Sequence, residues 1–273
     1  MALVNFKEML RNAKRERKAV AAINVANLET LSAVVSAAEM EKAPIIIQVY
    51  QRLFGDRSIR YIAGMAIKMA GDSAVPVALH LDHGTGLDQI RQAVDLGFSS
   101  VMIDGSKLPF EDNVRLTSEA VEIAHAANLS IEGEIGHIPT ANDVIPFCDP
   151  VEALEFARVT RVDALAAAIG TAHGFYKKEP VLNFDIAETI SSAIDIPLVL
   201  HGGTGVPEKQ IREAMKRGVA KVNIATEFQN MFLEETKAQL LEIKEFKPVD
   251  LFFRPVVAKL SEYVRGIIRL LND

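Results

Sequence analysis

Eight apolar runs of strand length recur along the chain, at 19–25, 44–50, 75–83, 99–106, 129–136, 163–174, 196–203 and 220–226. Helical periodicity fills much of the sequence between them, including 28–41, 87–96, 113–126, 151–158, 209–217 and 226–243. Tight hairpin turns are missing, so each return needs a crossover and neighbouring strands pair in parallel. The runs are near-continuous Val, Ile, Leu and Ala, as strands covered on both faces require. A closed barrel and an open doubly wound sheet both satisfy this alternation, and the carboxyl ends of the runs decide between them. In order they carry Asn24, Gln48, Asp82 with His83, Asp104, Glu132 with Glu134, His173, His201 and Asn223. Their spacing averages about 28 residues, one βα unit of a barrel. An open sheet would concentrate such residues at its switch point instead. The sequence therefore predicts an α/β fold, a (β/α)8 TIM barrel of parallel strands over residues 1–273, with a site at its C-terminal face.

The length of 273 residues suits one such barrel. Hydrophobic residues at 49% and charged residues at 24% exclude a disordered chain. A net charge of −6 argues against nucleic acid as a partner, because phosphate backbones need clustered Lys and Arg. Residues 1–18 carry charges throughout, without the apolar core of a signal peptide. No stretch approaches the ~20 apolar residues that span a bilayer, so no membrane partner is expected. The single Cys148 excludes a disulfide framework and a thiolate metal cage, and points to a cytoplasmic setting. Residues 138–148, with Pro139, Asn142, Asp143 and Pro146, read as a long mobile loop after the fifth strand. Phe253, Val256, Val257, Leu260, Val264, Ile267, Ile268 and Leu271 form one apolar stripe, predicting an extra C-terminal helix. That helix packs either on the barrel or on a second subunit, and a homo-oligomer, first of all a homodimer, is expected.

Three histidines end three different runs: His83, His173 and His201. Three imidazoles with one open position make a catalytic zinc arrangement, and a barrel mouth is narrow enough to bring them together. A single such histidine would more often be a satisfied polar group in a packed mouth; three at strand ends weigh against that. His80 lies inside a strand, His125 on a helix and His137 in a loop. Asp82 precedes His83, and alternation along a strand would point the two in opposite directions. A shared site therefore requires the strand to end there, at Gly84. Capping of the following helix is the bland role for Asp82, and Thr85 could fill it instead.

Glycines in the loop His201-Gly202-Gly203-Thr204-Gly205 and the segment Asn223-Ile224-Ala225-Thr226 suit a phosphate, since backbone N–H groups can approach an anion there. The loops after strands seven and eight are the usual phosphate grip of this fold. A Gly-Gly pair alone is a common turn. Gly170 and Gly174 bracket His173 and leave room for substrate.

Ala22-Ile23-Asn24, His80-Leu81-Asp82-His83-Gly84, Val101-Met102-Ile103-Asp104-Gly105-Ser106, Glu132-Gly133-Glu134-Ile135-Gly136, Gly170-Thr171-Ala172-His173-Gly174, Leu200-His201-Gly202-Gly203-Thr204-Gly205 and Asn223-Ile224-Ala225-Thr226 together resemble the class II, zinc-dependent ketose-bisphosphate aldolases. The likeness runs through nearly the whole chain in order and looks closest to the fructose- and tagatose-bisphosphate branch. It implies reversible cleavage of a phosphorylated ketose to dihydroxyacetone phosphate and an aldehyde, through a metal-stabilised enediolate. By the same resemblance His83, His173 and His201 are the ligands of a catalytic Zn2+, and Asp82 is the acid–base residue. Asp104 and Glu134 fall where relatives hold a second or alternative metal. Gly174, Gly202, Gly203, Thr204, Asn223, Ile224, Ala225 and Thr226 match the segments that bind the phosphorylated substrate.

The chain departs from the family pattern twice. The loop after strand five lacks the family's Gly-Gly-rich acidic motif, and Asp143 is the one nearby carboxylate, a weak substitute. After strand two, Tyr50 stands where many relatives have serine, followed by Gln51 and Arg52. Two rival functions remain. A Schiff-base aldolase needs a desolvated lysine in the barrel mouth; Lys177, Lys178 and Lys221 all read as exposed charge, Lys221 at the wrong end of its strand. A catalytically silent partner subunit that binds zinc and phosphate is the alternative from another class. Cys148 reads as incidental, Met65 and Met69 as helix-face core, and the charge run at 14–18 as a solvated helix end.

Overall fold

The structure, a computed structural model, describes residues 3–141 and 143–273. Asn142 of the predicted loop, and Met1 and Ala2 of the charged N-terminus, lie outside the described residues. The eight runs form eight parallel strands that close into a barrel in sequence order. The chain begins with α1 (Lys7–Glu16), β1 (Val20–Asn24), α2 (Leu28–Glu41), β2 (Ile45–Tyr50), α3 (Ile59–Asp72), β3 (Val77–Gly84), α4 (Leu87–Asp95) and β4 (Ser100–Ile103). It continues with α5 (Phe110–Ala126), β5 (Ser130–Ile135), α6 (Pro150–Thr160), β6 (Ala164–Ala167), α7 (Phe184–Ala193), β7 (Leu198–Leu200), α8 (Glu208–Lys216) and β8 (Val219–Ile224). Then come α9 (Thr226–Glu242), α10 (Val249–Phe252) and α11 (Arg254–Asn272). Ala22 pairs with Ile46 of β2 on one side and with Asn223 of β8 on the other, which closes the ring.

Val, Ile, Leu and Ala on the outward face of the strands pack beneath the helices. The floor of the barrel is separate: Ala22, Ile46, Ala78, Met102, Ala164, Ala166 and Val199 meet Phe6 and Leu10, which α1 and the residue before it insert from below. This plug explains part of the charge run at 14–18. Arg15, Glu16 and Arg17 are exposed, but half-buried Lys14 donates to the carbonyls of Ile194 at 2.9 Å and Ile196 at 3.3 Å.

The C-terminal stripe packs on its own barrel. Val256, Leu260, Val264, Ile268 and Leu271 of α11 are buried, with α2 as the main neighbour. Arg265 and Arg269 fix the seam by bonding Glu41 at the end of α2, at 2.7 and 2.8 Å. The loop after β5 is fastened at both ends. His173 N–H donates to Pro139 at 2.8 Å, Ala141 N–H donates to His173 at 2.7 Å, and Cys148 N–H donates to Ala168 at 2.8 Å.

Candidate metal and phosphate site

Alternation directs Asn24, Gln48, His80, Asp82, Glu132, Glu134 and His201 into the barrel, and all seven are buried. Asp82 and His83 share the cavity for a reason other than the expected strand end. β3 continues to Gly84, but Leu81 pairs with Val101 and Gly84 with Ile103, so β3 carries one residue more than β4 over that interval. His83 takes up this bulge in the left-handed region, at φ +54°. Gly84 permits it: a Cβ there would lie 2.6 Å from the Met102 carbonyl oxygen.

The mouth encloses a cavity of about 600 Å3, lined by Asn24, Tyr50, Arg52, Asp82, His83 and Asp104 on one side. His173, Gly174, His201, Gly202, Thr204, Asn223, Ala225 and Thr226 line the other. One ligand atom from each of His83, His173 and His201 falls within 4.8 Å of the others, and His83, Asp104 and Glu134 form a second such group. The two groups share His83. A neutral imidazole has one lone pair, so an ion in one group and an ion in the other are alternatives.

Hydrogen bonds orient this set. His83 Nδ1 lies 2.8 Å from Asp104 Oδ2, while Asp104 Oδ1 accepts from the Ser106 hydroxyl at 2.7 Å. His83 Nε2 is 3.0 Å from His201 Nδ1. Asn24 donates to Asp82 Oδ2 at 2.7 Å and accepts from Gln48 at 2.9 Å. Asp82 Oδ1 and Glu134 Oε2 are buried without a hydrogen-bond partner. Three converging nitrogens beside unpartnered carboxylate oxygens suit a divalent cation of intermediate softness.

The electrostatics agree. Burial opposes charge on His83, yet Asp82, the hydrogen bond His83 donates to Asp104 and nearby Glu134 raise its pKa to about 10. Burial, helped by His83, lowers His173 to about 4 and holds His201 well below its usual range. Burial and the charge of Asp104 push Glu134 up to about 8.

Glycine-bearing loops form the other side of the cavity. Gly202, at φ +63°, passes so close to Ala172 that a Cβ would collide with its carbonyl. Thr226 begins α9, whose N-cap residue Ala225 supplies no side-chain cap; the Glu227 N–H of the first turn reaches the Thr204 hydroxyl at 3.4 Å. Gly203 and Ile224 do not line the cavity: the Gly203 N–H is donated to Asn223 at 3.1 Å, and Ile224 packs in the core.

Two features escaped the sequence. The Tyr176 hydroxyl lies 2.8 Å from the Ala172 N–H and 2.9 Å from the carbonyls of both Ala172 and Gly202, tying the loops that carry His173 and His201. Lys221, read as exposed charge, is fully buried inside the barrel, with its ammonium 2.8 Å from Glu132. It does not line the cavity. Alternation placing Lys221 two residues before Asn223 was the available signal.

A closed parallel barrel whose mouth gathers a histidine–carboxylate cluster beside glycine-bearing loops defines a (β/α)8 barrel of the aldolase kind. The family model for class II fructose-bisphosphate aldolase matches residues 4–273, and the chain belongs to that family. The fructose-bisphosphate aldolase of Geobacillus stearothermophilus is 42% identical over 253 residues, covering 88% of this chain and 86% of that one. The 6-phospho-5-dehydro-2-deoxy-D-gluconate aldolase of Bacillus subtilis strain 168 is 39% identical over 276 residues, covering 98% and 95%. Among solved structures, the YdjI aldolase of Escherichia coli K12 superposes with a TM-score of 0.90 at 34% identity, covering 98% of this chain and 97% of that one.

Proposed function

We propose that the protein is a zinc-dependent aldolase that reversibly cleaves a phosphorylated ketose to dihydroxyacetone phosphate and an aldehyde. The observation that carries this reading is the convergence of His83, His173 and His201 beside Asp82 in one cavity. A zinc ion held by the three histidines would supply electrophilic stabilisation of negative charge next to a ketone carbonyl. Asp104, by holding His83 Nδ1, leaves Nε2 for the metal; with Glu134 and His83 it also offers the alternative metal position.

Asp82 is the acid–base residue. Asn24 fixes one of its oxygens, and the free Oδ1 exchanges a proton with the hydroxyl that becomes the aldehyde oxygen. Gly174, Gly202, Thr204, Asn223, Ala225 and Thr226 bind the phosphorylated three-carbon unit. Gly203 and Ile224 support that grip indirectly by packing behind it, Gly203 in a space where a Cβ would lie 2.7 Å from Val222. Anchoring the phosphate orients the carbons whose bond breaks. The two relatives above are named for phosphorylated sugars or sugar acids, which supports this substrate class.

A cytoplasmic homodimer belongs to the same reading. No helix among the described residues is long and apolar enough to cross a membrane. Leu233, Leu240, Leu241, Phe246 and Val249, on and after α9, are exposed apolar side chains suited to a second copy.

The test is retro-aldol activity over a panel of ketose phosphates, with and without a chelator. Release of dihydroxyacetone phosphate that is lost on chelation and restored by zinc is expected. Activity surviving complete metal removal, or a borohydride-trapped lysine adduct, would overturn the mechanism. Zinc and phosphate binding without turnover on any substrate would favour the silent subunit.

A further inference from the structure

Deep in the barrel, below the histidine cluster, lie a lysine and a glutamate that the aldol chemistry does not use. Lys221 Nζ donates to Glu132 Oε2 at 2.8 Å, and Glu132 Oε1 is 2.7 Å from His201 Nε2. All three residues are buried. Among the described residues, His80 also faces this glutamate: its Nε2 is 3.7 Å from Oε2 and has no hydrogen-bond partner. Its Nδ1 lies 3.1 Å from the Ser100 hydroxyl.

We infer that Lys221 and Glu132 are positioning residues that fix the tautomer and ring orientation of His201, so that its Nδ1 lone pair faces the metal position. Salt-bridged to the Lys221 ammonium through Oε2, the Glu132 carboxylate presents Oε1 to His201 as an acceptor. His201 must therefore carry its proton on Nε2. The lone pair is left on Nδ1, the nitrogen that lies 3.0 Å from His83 Nε2 at the centre of the cluster. Buried carboxylates that accept from a metal-ligating histidine typically change metal affinity by about 10–100-fold when removed. Lys221 extends that control one step further, because the carboxylate would otherwise be a lone charge in the barrel interior. The lysine's place is also built into the strand: Leu198 pairs with Val219 but Val199 with Lys221, an extra residue on β8 that brings the ammonium to Glu132.

This inference rests on His201 being a metal ligand; zinc binding by the unaltered protein tests that separately. The decisive measurement needs no variant. In metal-stripped protein labelled with 15N-histidine, the His201 resonances should report a proton on Nε2, and a proton on Nδ1 would overturn the inference. Glu132→Gln can offer an N–H to Nε2, so it should shift His201 toward the opposite tautomer and weaken zinc binding about 10–100-fold in chelator competition. The paired change Lys221→Met with Glu132→Leu replaces the ions by apolar side chains and protects against simple misfolding. It should melt within a few degrees of the parent yet lose zinc affinity to the same extent. A merely structural ion pair predicts the reverse: altered melting, unchanged tautomer and unchanged zinc affinity in either variant, which would overturn the proposal.

Discussion

Asn24 donates its amide to Asp82 Oδ2 at 2.7 Å, while Asp82 Oδ1, 4.0 Å from His83 Nε2, makes no hydrogen bond. One residue thus holds the carboxylate still while its second oxygen stays free for substrate. Asp82→Ala should lower kcat by about 10^2–10^4-fold with zinc content unchanged, the usual range for loss of a general acid–base group. Asn24→Ala should lower kcat by a smaller factor with zinc content likewise unchanged. Steady-state kinetics with elemental analysis check both. An Asp82→Ala enzyme at full speed would remove the assigned proton carrier.

In the proposed zinc site, proton and metal compete for His83. Its pKa is raised to about 10, so below that pH both ring nitrogens are protonated and a cation must displace one proton. His173, at about 4, is already neutral at pH 7, and Glu134, at about 8, mostly holds its proton. Raising the pH removes the competitor, so zinc affinity should climb between about pH 5 and pH 8, roughly tenfold per unit for each proton released. Calorimetry at pH 7 in buffers of different ionisation enthalpy should show about one to two protons leaving. An affinity flat across that range would contradict the proton assignment of His83.

The barrel was legible because eight apolar runs ended in eight polar groups, and periodicity reports such repeats well. What periodicity does not report is where pairing stops. The run at 163–174 read as one strand, yet β6 spans only Ala164–Ala167, and His173 sits on the loop beyond it. Likewise 196–203 contains only the short β7, Leu198–Leu200. Glycines and bulges in those stretches turn apolar sequence into site-forming loops, and composition cannot distinguish the two. The bulge at His83 was invisible for a related reason: an extra residue in β3 is defined by its partner strand. Lys221 misled because lysine is normally exposed; only the facing Glu132, distant in sequence, makes its burial affordable.

Tyr176 joins the loops that carry His173 and His201 through a single hydroxyl. Tyr176→Phe removes it and leaves the Ala172 N–H and the carbonyls of Ala172 and Gly202 without that partner. The expected cost is about 1–3 kcal/mol of stability where those groups cannot reach water. KM for the phosphorylated substrate should rise as Gly202 loosens. Denaturant melts and kinetics on the same preparation test this, and an unchanged KM would show that the two loops hold their positions independently.

Leu260 tests where the C-terminal helix belongs. It is fully buried in the seam between α11 and the rest of the barrel, within the apolar stripe that could also have served a second subunit. Truncation there leaves a cavity inside one chain. Leu260→Ala should therefore cost about 2–5 kcal/mol, with unfolding midpoints lowered by the same amount at every protein concentration. The proposed zinc site is built from other elements, so zinc affinity should stay at the parent value. An effect that vanished at high protein concentration would instead place the stripe between subunits, because only an intermolecular contact is strengthened by mass action.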